Sequence, residues 1–320
     1  MEEENPLVRF VESSFLAEVL RREDVNDVSF NGEAFFAEGS STGRERLPLE
    51  ESKEEVGSFL RQIANLSERQ FSYLSPILDV SFGRYRLCAC FLSLTRVKDQ
   101  KSYSFSLRVE RPGSAVEEDP SFFPKGSRET LLEALNRSES IVIGGETGSG
   151  KTELQKYLLL HLPPACRVLV IDSAEELELI RGLSKIDLTT WVIDPSGKGG
   201  DVSSLIRAAL RFNPDYLVLA EARGGEMFEA LSCAMSGHPI LLTVHAGSVS
   251  SMPSRLARLA QMKGGKMVYE DLLHDVKESF PLYVCVQKTA SEKGIVRRIS
   301  QIGRMEKGEM SILFEEGAKQ

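Results

Sequence analysis

The sequence predicts an α/β protein in which a smaller α+β domain precedes a domain with a mostly parallel sheet. In the second half, continuous apolar runs alternate with helical segments, as strands of a parallel sheet covered on both faces do: 141–143, 168–171, 217–220 and 240–244. In the first half, the residues from Tyr103 to Val109 alternate between apolar and polar, which predicts a half-buried strand. A segment rich in proline, glycine and acidic residues lies between the halves. We therefore predict domains at 1–110 and 128–320, joined by a linker at 111–127.

The elements of the first domain follow from apolar periodicity and turn residues. Residues from about Asn5 to Arg22 have the spacing of an amphipathic helix. Two strand-like runs, 27–30 and 34–37, flank an Asn-Gly pair that favours a hairpin turn. Ser52 and Glu55 are spaced as a capping box before a second amphipathic helix.

The second domain repeats a strand–helix pattern. Its first strand leads through a glycine-rich loop into a helix from Thr152 to Leu162. Two further helices are predicted near 252–262 and 269–280, and short strands at 282–286, 295–302 and 310–314.

Composition limits the classes of function. The 320 residues carry a net charge of −8, which argues against a protein that coats nucleic acid through bulk charge. The five cysteines include no CxxC pair, so neither a disulfide framework nor a zinc knuckle is predicted. No apolar run has the length of a membrane span, and the first residues are acidic. We expect a cytoplasmic protein that reaches a membrane only through partners.

A complete Walker A sequence follows the first apolar strand of the second domain and precedes its helix. Its residues are Gly145, Glu146, Thr147, Gly148, Ser149, Gly150, Lys151 and Thr152. Glycines allow backbone N–H groups to turn toward a phosphate, and the positive end of the helix favours the same anion. Lys151 is the candidate ligand of the β- and γ-phosphates, and the Thr152 hydroxyl is the candidate ligand of Mg²⁺. The alternative, a glycine turn with a chance lysine, does not account for the strand and helix around it.

Two apolar strands run into carboxylates. The strand 217–220 ends at Glu221, the position of a Walker B acid, and Arg223 follows two residues later. The strand 168–171 runs into Asp172, Glu175 and Glu176, where an acid could orient an attacking water or simply begin a solvated helix.

His238 and His245 flank the strand 240–244. They lack a third ligand for a metal, so contact with phosphate or a partner subunit competes with a role as satisfied core histidines.

These sites in this order resemble the secretion ATPase superfamily, which drives type II and type IV secretion, conjugation and type IV or tight-adherence pili. The resemblance covers nearly the whole chain and rests most strongly on four boxes: Walker A at 145–152, an Asp box at 170–177, a Walker B box at 210–226 and a His box at 236–248. It implies a RecA-like second domain, a PAS-like first domain, ATP and Mg²⁺ as cofactors, and a homohexamer. It also implies inner-membrane secretion or pilus platform proteins as partners. Direct nucleic-acid binding is not expected.

The resemblance extends to residue roles. It makes Arg84, Arg86 and Arg108 candidates to reach the nucleotide phosphates from the first domain, against the alternative of surface salt bridges. His238 and His245 become candidate nucleotide contacts. Catalysis is assigned to Lys151, Glu176, Glu221 and Arg223, and Mg²⁺ to Thr152 and Glu221, directly or through water.

The sequence also departs from the family pattern. The Asp box reads Asp172-Ser173 where the family usually has Glu-Asp, so Glu176 is the expected water-activating acid and Asp172 a further Mg²⁺ or structural acid. The tetracysteine zinc module of the type II branch is absent. A helicase-like nucleic-acid motor and a non-catalytic, nucleotide-switched scaffold remain as alternative functions.

Overall fold

In a computed structural model the chain forms two compact units. The first comprises Met1–Pro112 and Ala290–Ile295, and the second comprises Gly113–Thr289 and Val296–Gln320. The structure describes residues 5–39, 42–110, 112–117, 119–172, 175–193, 201–291 and 294–316. Of the predicted sites, Ser173 and Ala174 of the Asp box and Arg111 and Glu118 of the linker lie outside those residues. Within the described ranges, no helix combines the length and the apolar character that a membrane crossing requires.

Among the described residues, the first unit contains a six-stranded antiparallel sheet and three helices. The helices are α1 (Pro6–Glu12), α2 (Ala17–Leu20) and α3 (Lys53–Leu66). The strands are β1 (Val25–Phe30), β2 (Phe35–Gly39), β3 (Gly43–Arg46), β4 (Ile77–Phe82), β5 (Tyr85–Val97) and β6 (Gln100–Val109). Their order in the sheet is β3-β2-β1-β6-β5-β4, and every neighbouring pair is antiparallel.

Local sequence signals explain most of this unit. The Ser52 hydroxyl and the Glu55 carboxylate form the reciprocal capping box that begins α3. The prediction of one helix from Asn5 to Arg22 is wrong, because α1 ends at Glu12 and α2 begins at Ala17. Ser13 and Ser14 lie in the interruption and donate hydroxyl hydrogen bonds of 2.8 and 2.7 Å to the carbonyls of Arg9 and Val11. These bonds compete with continuation of the helix.

The second unit contains an eight-stranded sheet of order β14-β13-β12-β7-β11-β10-β8-β9. Its strands are β7 (Ile141–Gly145), β8 (Arg167–Asp172), β9 (Asp187–Val192), β10 (Tyr216–Leu219), β11 (Ile240–Val244), β12 (Leu282–Ser291), β13 (Gly294–Glu306) and β14 (Glu309–Glu315). The six strands from β12 to β9 run parallel, and β13 pairs with β14 antiparallel. Strand β9 is absent from the predicted strands, because its mostly half-buried residues form no continuous apolar run.

Helices cover both faces of this sheet. They are α4 (Ser127–Asn136), α5 (Lys151–Leu160), α6 (Val202–Ala209), α7 (Met227–Met235), α8 (Met252–Gln261) and α9 (Tyr269–Ser279). Successive residues of β7 enter different cores: Ile141 and Ile143 pack with α4 and α5, whereas Val142 packs with α6 to α9. Phe122 and Phe123, from the predicted linker, are buried with α4 and α5.

Because β7, β8, β10 and β11 are parallel, their carboxyl ends meet at one edge of the sheet. At that edge the Walker A loop follows β7, Asp172 is the last residue of β8, Ala220 follows β10 and His245 follows β11. The sheet therefore gathers segments that are up to about a hundred residues apart in sequence, and that edge is the candidate site.

Candidate functional site

The Walker A loop joins β7 directly to α5. Gly145, Gly148 and Gly150 have φ of 157°, 72° and 104°, and Gly150 occupies the N-cap of α5 in the left-handed region. A Cβ on Gly145 would lie 2.4 Å from the Val286 carbonyl oxygen and 2.5 Å from Ser149 Oγ. The loop can follow this tight path only because glycine has no side chain there.

Lys151 bends back over the loop from the first turn of α5. Its Nζ donates hydrogen bonds to the carbonyl oxygens of Gly145 at 3.0 Å and Glu146 at 2.9 Å. Burial lowers the pKa of Lys151 below its usual value, and the charges of Glu221 and Glu176 oppose that shift. The ammonium thus lies in the field of both predicted acids, at the place where an anion cradled by the loop would need a cation.

One turn after Lys151, Gln155 connects α5 to the sheet. Its side-chain amide is fully buried and donates a 2.9 Å hydrogen bond to the carbonyl of Leu219, the last residue of β10. A buried hydrogen bond of this kind resists rotation or sliding of the helix. It fixes the helix that carries Lys151 relative to the strand that leads to Glu221.

Glu221 lies between two basic side chains. Arg223 Nη2 is 2.8 Å from one carboxylate oxygen of Glu221, and His245 Nε2 is 2.9 Å from the other. Burial raises the pKa of Glu221, but the hydrogen bond from Arg223 and the nearby charges of Arg223, His245 and Lys151 lower it overall. Glu221 is therefore held as a carboxylate at neutral pH.

The acids after β8 occupy distinct positions. Asp172 is buried, and its carboxylate accepts a 3.1 Å hydrogen bond from the backbone N–H of Leu177. Glu175 has a φ of 59°, and burial raises its pKa. Glu176 is half-buried and acts electrostatically on Lys151. Asp172 thus orders the turn that presents Glu176 near the loop.

The structure separates the two histidines of the predicted set. His245 follows β11 at the carboxyl edge, whereas His238 precedes β11 at the opposite edge, near Ser140. Seven residues of extended chain span roughly 20 Å. Within one chain His238 therefore does not join the cluster of Lys151, Glu221 and His245, and its Nδ1 is buried without a hydrogen-bond partner.

The three predicted arginines lie in the first unit, two of them in strands of its sheet. Arg84 precedes β5 and donates to Glu12 at 3.0 Å and to the Tyr85 hydroxyl at 3.0 Å. Arg86 and Arg108 are cross-strand partners on β5 and β6. Each of the three forms an ion pair with a carboxylate of its own unit, as the alternative of surface salt bridges predicts.

The donor set of the loop fits a phosphate and a hard cation. The loop supplies a lysine ammonium and the N-terminus of a ten-residue helix, which suit an anion. The Thr152 hydroxyl and the Glu221 carboxylate are oxygen donors of the kind Mg²⁺ prefers. Ser149 Oγ is buried without a hydrogen-bond partner beside Gly145, so the loop also holds an unused polar atom.

Two basic residues that the sequence analysis missed also contact the loop. Lys288 Nζ donates a 2.8 Å hydrogen bond to the Thr147 carbonyl, and Arg297 Nε donates one of 2.8 Å to the Gly148 carbonyl. Both lie more than a hundred residues beyond the loop in sequence. They have no motif of their own, and only the pairing of β12 with β7 could have suggested Lys288.

Comparisons with known proteins find relatives of this chain. PtlH of Bordetella pertussis, a type IV secretion system protein, is 33% identical over 199 residues, which are 60% of this chain and 58% of PtlH. An uncharacterised Bacillus anthracis protein is 25% identical over 307 residues, 92% of this chain and 68% of that protein. The chain therefore spans between half and about two thirds of the length of these two relatives.

Solved structures share the fold. The Legionella pneumophila ATPase DotB matches with a TM-score of 0.67 at 22% identity, over 94% of this chain and 81% of DotB. The pilus retraction motor PilT, solved with ADP, matches with a TM-score of 0.64 at 17% identity, over 99% of this chain and 84% of PilT. The sequence model named "Type II/IV secretion system protein" matches residues 109–289. Since that match covers more than half of the 320 residues, the chain belongs to this family, the secretion ATPase superfamily.

Proposed function

We propose that this chain binds ATP and Mg²⁺ and hydrolyses the nucleotide as one subunit of a hexameric motor for secretion, conjugative transfer or pilus assembly. The observation that carries the proposal is the convergence of Lys151 in the Walker A loop with Glu221 at the carboxyl edge of the sheet. An ammonium and a carboxylate held at that edge suit a metal-bound phosphate better than any other ligand class.

We take the second unit as a RecA-like domain and the first as a PAS-like domain. A parallel sheet that carries the phosphate loop at its carboxyl edge supports the first assignment. An antiparallel sheet packed with helices supports the second at the level of architecture. The fold shared with DotB and PilT is consistent with both.

The triphosphate would be held by the loop from Gly145 to Thr152. Thr152 and Glu221 would hold Mg²⁺, directly or through water, with Asp172 as a further candidate. His245 would steady Glu221 through their 2.9 Å contact. Arg84, Arg86 and Arg108 would add cations for the phosphates. When bound, Mg²⁺ neutralises phosphate charge and orients the phosphate oxygens.

During hydrolysis the charged residues would have separate roles. Lys151 would exchange its loop carbonyls for phosphate oxygens and stabilise the charge that develops on the transferring group. Arg223 would add a second cation once it leaves Glu221, with which it pairs at 2.8 Å. Glu176 would orient the attacking water and accept its proton.

The wider role rests on the relatives. PtlH is named as a type IV secretion system protein, and PilT is titled a pilus retraction motor. We therefore propose a cytoplasmic homohexamer that acts on inner-membrane secretion or pilus platform proteins. The net charge of −8 favours a protein partner over nucleic acid.

The test is nucleotide binding and Mg²⁺-dependent release of phosphate by the purified chain. Lys151→Ala should abolish turnover, whereas Lys277→Ala, a lysine bonded to the Gly308 carbonyl away from the loop, should not. Failure of the unaltered protein to bind any nucleotide would refute the proposal. Turnover stimulated by single-stranded DNA would favour a helicase-like motor, and binding without turnover would favour a nucleotide-switched scaffold.

A further inference from the structure

Two cations from the far end of the sequence bind backbone carbonyls of the Walker A loop. Lys288 lies on β12, which pairs with β7 in parallel register, so its backbone continues past the loop. Arg297 lies on β13, the next strand in the sheet. Both side chains end on loop carbonyls, those of Thr147 and Gly148, at 2.8 Å. Two successive peptide groups of the loop are thus each bound by a different cation.

These bonds constrain the direction of the loop N–H groups. In a trans peptide the C=O and N–H bonds point in opposite directions. Because Lys288 binds the Thr147 carbonyl, the N–H of Gly148 in the same peptide group points away from Lys288. Gly148 has a φ of 72°. Because glycine adopts positive and negative φ about equally readily, its own conformational preference does not hold that orientation. An external bond is therefore an effective way to hold it.

The position of β13 is itself secured. The backbone N–H of Ile299 donates a 2.9 Å hydrogen bond to the carbonyl of Phe122, a fully buried residue. A Cβ on Gly150 would lie 3.3 Å from Phe122 Cε2 and 3.8 Å from Arg297 Cδ. Phe122 and Arg297 therefore line the end of the loop where α5 begins. Arg297 is presented to the loop by a buried anchor rather than by a mobile surface segment.

Resting on the proposed function, we propose that Lys288 and Arg297 are positioning residues of the nucleotide site, which hold the Walker A peptide groups with their N–H bonds toward the phosphates. Both bonds end on backbone carbonyls of the loop and need no ligand to form, so they would order the loop before nucleotide binds. The two added positive charges also strengthen the attraction for a polyphosphate.

The arrangement predicts which property of the enzyme changes. Lys288 and Arg297 bind carbonyls rather than reacting atoms, so their loss should weaken binding of substrate and transition state alike. A loss of that kind raises KM and leaves kcat nearly unchanged. We expect Lys288→Met and Arg297→Gln each to weaken ATP and ADP binding by about tenfold, the effect of one hydrogen bond from a charged group. Lys288→Arg retains both charge and donor and should restore most of the affinity.

The experiment is a fluorescence titration of the full chain with labelled ADP and ATP, followed by measurement of KM and kcat. The matched controls are Lys277→Met, which removes another lysine-to-carbonyl bond of 2.9 Å, and Arg298→Gln, the neighbour of Arg297 that pairs with Glu316. Thermal unfolding of every variant identifies any that are misfolded. If the loop substitutions and the controls bind nucleotide equally, the inference is wrong although the proposed function stands. If the unaltered chain binds no nucleotide, the proposed function itself fails.

A second measurement separates positioning from charge alone. Without nucleotide, backbone hydrogen exchange of the loop should be faster in Lys288→Met and Arg297→Gln than in the two controls. Salt should weaken nucleotide binding to the unaltered chain more than to the variants, because they have lost a screened charge. If the variants bind nucleotide weakly but hydrogen exchange of the loop is unchanged, the two residues do not position the loop. Their effect on binding would then come only from their charge.

Discussion

Arg86 and Arg108 lie directly opposite each other on β5 and β6, so two guanidinium groups share one row of the antiparallel sheet. Asp27 on β1 is the next residue of that row beyond Arg108. Arg86 pairs with Asp79 at 3.8 Å, and Arg108 pairs with Glu110 at 3.4 Å. Like charges directly opposite in a sheet destabilise it by up to about 1 kcal/mol. The carboxylates of Asp27, Asp79 and Glu110 lie beside the two arginines and offset part of that repulsion.

The arginine pair yields the first prediction. Arg86→Gln and Arg108→Gln should each reduce ATP turnover by at least about tenfold. Neither should lower the free energy of unfolding by more than about 1 kcal/mol, because the lost surface ion pair and the relieved repulsion offset each other. Phosphate release and urea unfolding measure the two effects. Arg44→Gln, on β3 over the Phe36 ring, is the control and should preserve turnover. If both variants retain full activity, the two arginines have a structural role and do not contribute to turnover.

The second prediction concerns the water-activating acid. Glu176→Gln should reduce turnover by a factor of about 100 or more and leave ATP binding intact, because it removes a proton acceptor and not a phosphate contact. Glu178→Gln is the control two residues further on, where the carboxylate pairs with Arg181. Phosphate release and labelled-ATP titration provide the readouts. Normal turnover in Glu176→Gln would show that another acid activates the water.

The third prediction tests the steric requirement at the start of the loop. Gly145→Ala should lower the free energy of unfolding by about 1–3 kcal/mol, because the added Cβ would lie 2.4 Å from the backbone oxygen of Val286, which cannot rotate away. At Gly247 an added Cβ would meet nothing within 4 Å, so Gly247→Ala should cost far less. Urea unfolding without nucleotide measures both. Equal stability of the two variants would mean that the loop has room for a side chain.

The fourth prediction concerns pH. Burial lowers the pKa of Lys151 in the folded chain below its usual value of 10.5. Between the lowered pKa and 10.5 the unfolded chain binds more protons, so the free energy of unfolding rises with pH in that window. Lys151→Met lacks this dependence. The unaltered chain should therefore gain stability relative to Lys151→Met as pH rises toward 10.5. Paired urea titrations at increasing alkaline pH measure the difference, and a constant difference would contradict the expected shift.

The sequence by itself determined the local features of this protein. The Walker A loop is contiguous, and the strand and helix on either side have their own apolar patterns. The capping box at Ser52 and the Asn31 turn depend on residues only two or three positions apart. Such features form through contacts between residues that are close in sequence, so a short segment is enough to predict them.

Only the tertiary structure decided which distant residues meet. Strand order places Glu221 and His245 in contact and separates His238, although both histidines flank the same strand. Sheet register sets Arg86 opposite Arg108, and strand pairing carries Lys288 and Arg297 to the loop. These relationships depend on the packing of whole elements, and no local periodicity records which strand lies beside which. Eight consecutive residues determine the chemistry of the Walker A loop, whereas the residues that surround the loop depend on how the strands assemble into the sheet.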